Sequence, residues 1–232
     1  EWFLRFRIDG KKLDIDPATD LPFGWSKVRL DDIFEFSNGY AFYTKGYSDV
    51  GYDVIDLGNI STSSDLQITG NEKKISDKLY KKHTKFHLNK YDVVVAMTDM
   101  TKELGILAKT AIIDENNKYI LNQRVGRIRS KIDHVNHSFL YAVLNDPRFI
   151  GTMHSMSKGA VQFYFNTKDI ISYEIYLPTI KQIEQFQHIH TKLLEQRIIL
   201  KNQNQLLKEA RDILLPRLMT GMIDTDELDI AV

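Results

Sequence analysis

Residues 178–218 read PTIKQIEQFQHIHTKLLEQRIILKNQNQLLKEARDILLPRL, and the spacing of their apolar residues decides the plan of the chain. Phe186, Leu193, Leu200, Leu207 and Leu214 recur every seventh residue, and Ile199, Leu206 and Ile213 widen the stripe. Helical periodicity puts all of these on one face, and a stripe so long and so apolar is stable only against a partner helix. Gln196, Gln203 and Ala210 fall on the same seam, where polar residues fix register and partner choice at some cost in stability. Pro178 opens the segment, and Pro216 followed by Gly221 closes it, because proline lacks the amide donor and glycine accepts the left-handed cap. The spacing predicts one coiled-coil-type helix over 178–218, an arm carrying whatever precedes it.

What precedes it reads as a head. From 21 to 177 the pattern is mostly short β-type runs broken by Gly, Asn and Asp, at 26–30, 52–57, 92–97, 106–113 and 123–129, with 173–177 as a closing strand. A single helical turn is expected over 31–36, a helix over 75–86 with its lysines outward, and a helix over 138–144 that resumes at 148–156 after Asp146-Pro147. A short turn or helix is expected over 167–172. The fold class is therefore α+β, a β-rich irregular domain followed by one long helix. Its divisions are 1–20 (the end of an amphipathic element and a polar linker), 21–177 (the domain), 178–218 (the helix) and 219–232 (an acidic tail).

With 232 residues, 43% hydrophobic and 27% charged, the chain has the composition of an ordinary soluble protein able to bury a normal core. There is no cysteine, which removes disulfides and thiolate metal sites. No apolar run approaches the roughly 18 residues of a membrane span, and no signal peptide is recognised, so a cytoplasmic location and no membrane partner are expected. The first residue is Glu1 rather than Met, as in a fragment. Formal net charge is zero, yet the charge is unevenly spread. Seven lysines (73, 74, 78, 81, 82, 85 and 90) stand against Asp77 alone between 73 and 90, interleaved with Tyr80, His83, Phe86 and His87. Arg124, Arg127, Arg129 and Lys131 form a second basic cluster. A lysine run alone is an ordinary solvated face, but two clusters in one domain point toward phosphate.

No catalytic set, metal site or cofactor loop is read from the residues. The spacing of Asp65, Glu72 and Lys74 imitates a metal-dependent nuclease, in which two acids and a lysine polarise water and the scissile phosphate; Glu-x-Lys in a lysine-rich segment is, however, frequent by chance. A methyltransferase needs a Gly-rich turn and an Asn-Pro-Pro-aromatic loop, and Asn145-Asp146-Pro147-Arg148 lacks the second proline and the aromatic. No phosphate-cradling Gly-rich loop and no nucleophile elbow occur. His83/His87 and His134/His137 have spacings that suit a metal but no evident third ligand.

Three polar segments remain that present side chains: Ser37–Phe42, Thr98–Gly105 and Ser155–Phe165. They combine amides, hydroxyls, lysines and aromatics, the groups that read base edges. Ordinary turn chemistry is the bland alternative for each.

In this order and spacing the residues resemble the specificity subunits of type I restriction-modification enzymes over essentially the whole chain. Leu21-Pro22-Phe23-Gly24-Trp25 with Val28–Ile33 resembles the opening of a target-recognition domain. Tyr91–Met97 resembles the family's Gly-Asp-Ile-Leu strand, with Tyr91 in place of glycine. Ser157–Gln162 is similar to its Ser-Gly-x-x-Gln loop, Leu177-Pro178 to the start of its spacer helix, and Leu215–Gly221 with Ile223-Asp224 to that helix's end. The chain departs from the pattern at Thr179, where a second proline is usual, and at Glu184-Gln185, a displaced pair. It also carries one recognition domain and one spacer where the family usually has two, and Trp2–Arg7 resembles the tail of a preceding spacer.

The resemblance implies a non-catalytic subunit, without metal or cofactor, that reads one half of a split double-stranded DNA site. It implies docking of methyltransferase subunits and, through them, the restriction subunit, with self-pairing through the long helix as another use of the arm. On this reading phosphate contacts come from Lys81, Lys82 and Lys85 with Arg124 and Arg127. Base readout comes from Lys102, Ser157, Lys158 and Gln162, with Asn38 and Tyr40 nearby. The helix interface is Phe186, Leu193, Ile199, Leu200, Leu206, Leu207, Ile213 and Leu214. A nuclease domain, or a coiled-coil scaffold whose head binds protein, are the competing readings.

Overall fold

The computed structural model describes residues 2–223; the expected acidic tail from Asp224 onward lies outside the described residues. The chain divides into two units, Glu1–His188 and Ile189–Val232.

Two sheets build the head. One runs in the spatial order Thr110–Ile112, Val93–Ala96, Val125–Ser130, Phe34–Asn38, all antiparallel. The other runs His87–Leu88, Tyr119–Leu121, Tyr52–Ile55, Lys74–Ile75, Tyr47–Ser48, with one parallel pairing between Tyr119–Leu121 and Tyr52–Ile55. Val94, Ala96, Ala111 and Val125 of the first sheet share a buried cluster with Ile55, Leu88, Tyr119 and Leu121 of the second. Side chains alternate across a strand, so Val93 and Val95 turn to the other face, where the helix His137–Leu144 packs. This explains why Val93–Ala96 is apolar throughout: both faces of the strand are buried. A second cluster, Val54, Ile75, Tyr80 and Ile120, lies beneath the helix Asp77–Lys82.

The head's ends are tied together. The closing strand Glu174–Leu177 pairs antiparallel with the opening strand Ser26–Arg29. Buried Trp25 donates from its indole nitrogen to Gln182 Oε1 (2.8 Å), and Phe6 packs edge-on to the Trp25 ring. Gln182 is thus held beside the residues where the domain begins.

Several elements differ from the expectation. The turn at 31–36 is a helix over Leu30–Ile33 that passes directly into the strand Phe34–Asn38. The helix expected over 75–86 covers Asp77–Lys82, capped by Ser76, and is followed by a 3-10 turn at Thr84–Phe86. The strand expected over 106–113 shortens to Thr110–Ile112 because Asp99 captures the amides of Ile106 and Leu107. The predicted break between the two later helices holds, with Asp146 as N-cap and Pro147 in the first turn of Pro147–Met156.

The long helix spans Ile180–Met219 and continues through Pro216. Pro216 therefore does not stop it. The stop is a Schellman cap, in which the Met222 amide donates to Arg217 O (2.9 Å) and the Gly221 amide to Leu218 O (3.1 Å). No helix among the described residues is long and apolar enough to cross a membrane. Leu193, Ile199, Leu200, Leu206, Leu207, Ile213 and Leu214 are all exposed along the helix. Phe186, expected on the same stripe, instead packs against Trp2 (5.5 Å between ring centres) and Phe139 (6.5 Å).

Candidate nucleic-acid interface

Of the three polar segments picked out from sequence, the second and third pair with each other, and the first lies against the turn that follows the strand Tyr119–Leu121. Each is held by backbone features that leave little freedom. Gly39 follows the strand Phe34–Asn38 at a point where a Cβ would lie 2.0 Å from Asn122 O, so only glycine lets the two backbones touch. The Tyr40 amide then donates to Leu121 O (3.0 Å). The turn at 122–124 is set by Asn122, whose Oδ1 accepts from the Gln123 amide (2.6 Å), and it leaves Gln123 and Arg124 exposed.

Thr98–Asp99 pairs with Phe163–Tyr164, which joins the second segment to the third. Asp99, only 2% exposed, organises the loop that follows. Its carboxylate accepts from the Thr101 amide (2.8 Å), the Thr101 hydroxyl (2.8 Å), the Ile106 amide (2.8 Å) and the Leu107 amide (3.3 Å). Burial raises the Asp99 pKa, but the donors at Ile106, Thr101 and Leu107 outweigh it and hold the group below the ordinary aspartate value. The third segment is a hairpin in which Lys158 and Tyr164 exchange backbone bonds of 2.9 and 3.0 Å. Gly159 lies at φ +113, and a Cβ there would fall 2.0 Å from Gln162 O. Arg124 Nη1 reaches Met100 Sδ at 4.0 Å from the turn at 122–124, and Thr167 Oγ1, two residues past the third segment, donates to Asn38 Oδ1 of the first (3.2 Å).

The lysine-rich face borders this cluster through Tyr40. Its ring lies 4.2 Å from His83, 4.9 Å from Phe42 and 5.4 Å from Phe86. Lys81, Lys82 and Lys85 flank His83 and are exposed. Lys81 shares its charge with Asp77 (2.7 Å), whereas Lys78, Lys82 and Lys85 carry no acid partner among the described residues. Burial, then the charge of Lys82, lower the His83 pKa. Lys73 and Lys74 are committed elsewhere, Lys73 to Asp56 (3.2 Å) and Lys74 to the buried carboxylate of Asp53.

The structure thus gathers Asn38, Tyr40, Lys82, Lys85, Lys102, Arg124, Lys158 and Gln162 around linked segments. Asn38, Lys102, Arg124 and Lys158 are exposed, and Tyr40 and Gln162 half-buried. Ser157 is half-buried, and its hydroxyl donates to His154 O (2.7 Å) at the end of a helix.

Arg127 does not belong to this surface. It is 6% exposed, and its guanidinium donates to Lys85 O (3.2 Å), His87 O (3.0 Å) and Ser37 Oγ (3.4 Å). Arg127 sits inside a sheet strand whose alternation sends it inward, so it pins the lysine-bearing turn from beneath. Burial, then neighbouring Arg129, push its pKa down. Two more members of the second basic cluster are also structural, leaving Arg124 as its exposed one: Arg129 grips Asp92 through two bonds of 2.5 Å, and Lys131 Nζ donates to Asp31 O. Arg127→Ala is expected to cost about 3 kcal/mol by stranding buried carbonyls. Thermal unfolding checks this, and Arg124→Ala should leave the melting temperature within about 1 °C.

The nuclease constellation does not assemble. Glu72 accepts from the amides of Thr69 (2.6 Å) and Gly70 (2.9 Å) and from the Thr69 hydroxyl (3.0 Å), and acts as a turn cap. Lys74 belongs to Asp53, and Asp65 accepts from Ser63 Oγ (3.0 Å). Among the described residues no group of three His, Asp or Glu side chains is placed to hold a metal ion. His87 stacks on Tyr80 at 3.6 Å, and His137 on Tyr91 at 4.3 Å, so the two histidine spacings serve ring packing.

Two residues of consequence had no clear sequence signal. Asp99 lay within a segment rich in other acids and hydroxyls, and only its burial distinguishes it. Tyr91 lies at φ +73, a region that favours glycine; its only trace was that it stood where the family pattern has glycine.

Comparison with known proteins bears on this geometry. A family model described as the type I restriction modification DNA specificity domain matches residues 22–211. The specificity subunit of the type I restriction enzyme EcoAI of Escherichia coli is 29% identical over 145 residues, covering 60% of this chain and 23% of the relative. The specificity subunit of the type I restriction enzyme MjaVIII of Methanocaldococcus jannaschii is 22% identical over 212 residues, covering 90% of this chain and 49% of the relative. Among solved structures, the S subunit of a type I restriction-modification system from M. genitalium superimposes with a TM-score of 0.59 at 15% identity, covering 93% of this chain and 49% of that one. A chain from a structural study of assembly and conformational transition in a type I R-M system gives 0.53 at 16% identity, covering 85% and 45%. At these identities the structural likeness shows a shared fold. The chain spans between a quarter and a half of the length of the curated relatives it matches.

Proposed function

The chain belongs to the type I restriction-modification DNA specificity family, and on that premise we propose that its head is a non-catalytic recognition domain reading one half of a split duplex DNA site. The observation that carries this reading is the Tyr40–His83 contact, which sets one polar loop beside the lysine-bearing turn, together with the pairing of the other two loops. Such a surface has the division of labour that DNA recognition requires. Lys82 and Lys85, with Lys81 beside them, supply charge to phosphates and fix register, while Lys102, Arg124, Lys158 and Gln162 approach base edges, with Asn38 and Tyr40 alongside. Residues 21–177 are the recognition domain in this reading. The exposed stripe of the long helix is where a second helix, of a longer chain or of a twin, and the methyltransferase subunits dock, with the restriction subunit joining through them.

The test is selection from random duplex DNA by the chain assembled with its methyltransferase subunits, at two salt concentrations. A short enriched motif is expected. Lys82→Ala with Lys85→Ala should weaken binding to all sequences about equally and reduce the salt slope by roughly 2. Gln162→Ala should instead change the motif. Retained assembly without any enriched motif would leave a helical scaffold as the better reading.

A further inference from the structure

We infer that Val161 and Met100 form an apolar contact point for the 5-methyl group of thymine, so that the head reads at least one A·T pair through packing as well as hydrogen bonds. This rests on the reading of the head as a DNA-binding domain. Val161 is 82% exposed and Met100 61% exposed, so both present apolar surface to water. Scattered exposed apolar residues need no explanation, but these two are related by the fold. The pairs Thr98↔Tyr164 and Asp99↔Phe163 put Met100 and Val161 just beyond the same end of a two-stranded ribbon.

Both sit on pre-set backbone. The loop carrying Met100 is fixed by the four hydrogen bonds to Asp99, and the hairpin carrying Val161 by the Lys158–Tyr164 exchange. The head itself leaves most of both side chains uncovered on this fixed backbone. An apolar tip on a fixed backbone loses little backbone freedom when it is covered, which favours binding. Its surroundings identify what covers it. Exposed Lys102 and Lys158 lie on the same segments, and exposed Arg124 reaches Met100 Sδ from the turn at 122–124, with Glu103 as the opposing charge. An apolar tip within a cationic rim matches a polyanion that offers a small apolar group. The thymine methyl is the apolar feature of the major groove, and side chains of this kind contact it.

The experiment uses the chain in complex with its methyltransferase subunits and its selected half-site, synthesised with deoxyuridine in place of thymidine at one position at a time. Uracil keeps every hydrogen-bonding group and lacks only the methyl. At one or more positions wild type should bind the uracil duplex roughly fourfold more weakly, as expected for one buried methyl group. Val161→Ser, or Met100→Gln if the hairpin alone does not suffice, should bring the thymine-to-uracil ratio to about 1 while leaving the salt slope unchanged. Both side chains are exposed, so neither change threatens the fold. Specific binding that tolerates uracil everywhere, or a selected half-site without an A·T pair, overturns the inference while the recognition reading stands. Absence of any sequence preference overturns both.

Discussion

Asp99→Ala is expected to lower the stability of the head by about 3 kcal/mol, to drop its melting temperature by roughly 10 °C, and to abolish sequence selection. Few exposed loops depend on one side chain to this degree. Three amides and a hydroxyl converge on the Asp99 carboxylate, and two of those amides, from Ile106 and Leu107, lie seven and eight residues away in the chain. Alanine leaves the donors of a tight turn without an acceptor where little water enters. The loop then loses the constraint that presents Lys102 and Met100. Asp99→Asn keeps the shape but offers one oxygen and turns an amide donor toward other donors, so it should recover only part of the loss. The pH dependence follows from the direction of the pKa. Because the folded value lies below the ordinary 3.8, the stabilisation is fully present above that value and disappears as pH falls below it toward the folded pKa. Calorimetry of wild type and Asp99→Asn at pH 6 and at pH 3 checks this: the gap in melting temperature should narrow at the lower pH. An equal gap at both would mean that the carboxylate's charge contributes nothing.

The ease of reading the sequence varied with how far each signal reached. The long helix was legible because its stripe repeats over the whole segment, and Val93–Ala96 because an unbroken apolar run needs burial on both sides. Strands of two or three residues, such as Lys74–Ile75 and Tyr119–Leu121, were not legible. They are defined by partners distant in sequence, and Lys74 looks like one more surface lysine until Asp53 is seen beside it. For the same reason the basic clusters misled in part. Composition counts charges but does not report direction, and the strand Val125–Ser130 buries its first four residues, Arg127 among them, so a charge that looks free in the sequence is enclosed by the sheet. The polar loops were legible as segments because glycine, asparagine and serine mark turns. That the Ser155–Phe165 hairpin pairs with the Thr98–Asp99 strand depends on a long-range register that no local pattern encodes.

Leu200→Asp combined with Leu207→Asp is expected to leave the head's unfolding unchanged and to weaken helix-mediated assembly more than a thousandfold. The two leucines are 56% and 65% exposed, so the isolated chain has nothing to lose from polar replacements there. The head's own hold on the arm lies earlier, at fully buried Ile183 and at Phe186 against Trp2 and Phe139. In a paired state each leucine would be buried for about 2 kcal/mol, and each aspartate would add the cost of desolvating a carboxylate among apolar side chains. Two such sites exceed 4 kcal/mol, which is the thousandfold. Sedimentation of the chain alone and with methyltransferase subunits measures the effect, with Gln205→Asp as a control that adds a charge on the opposite side of the helix. If the double variant melted several degrees below wild type, the stripe would be serving the chain's own fold. If it assembled normally, the docking surface would lie on the head, and the seven exposed apolar residues of the stripe would require a different occupant.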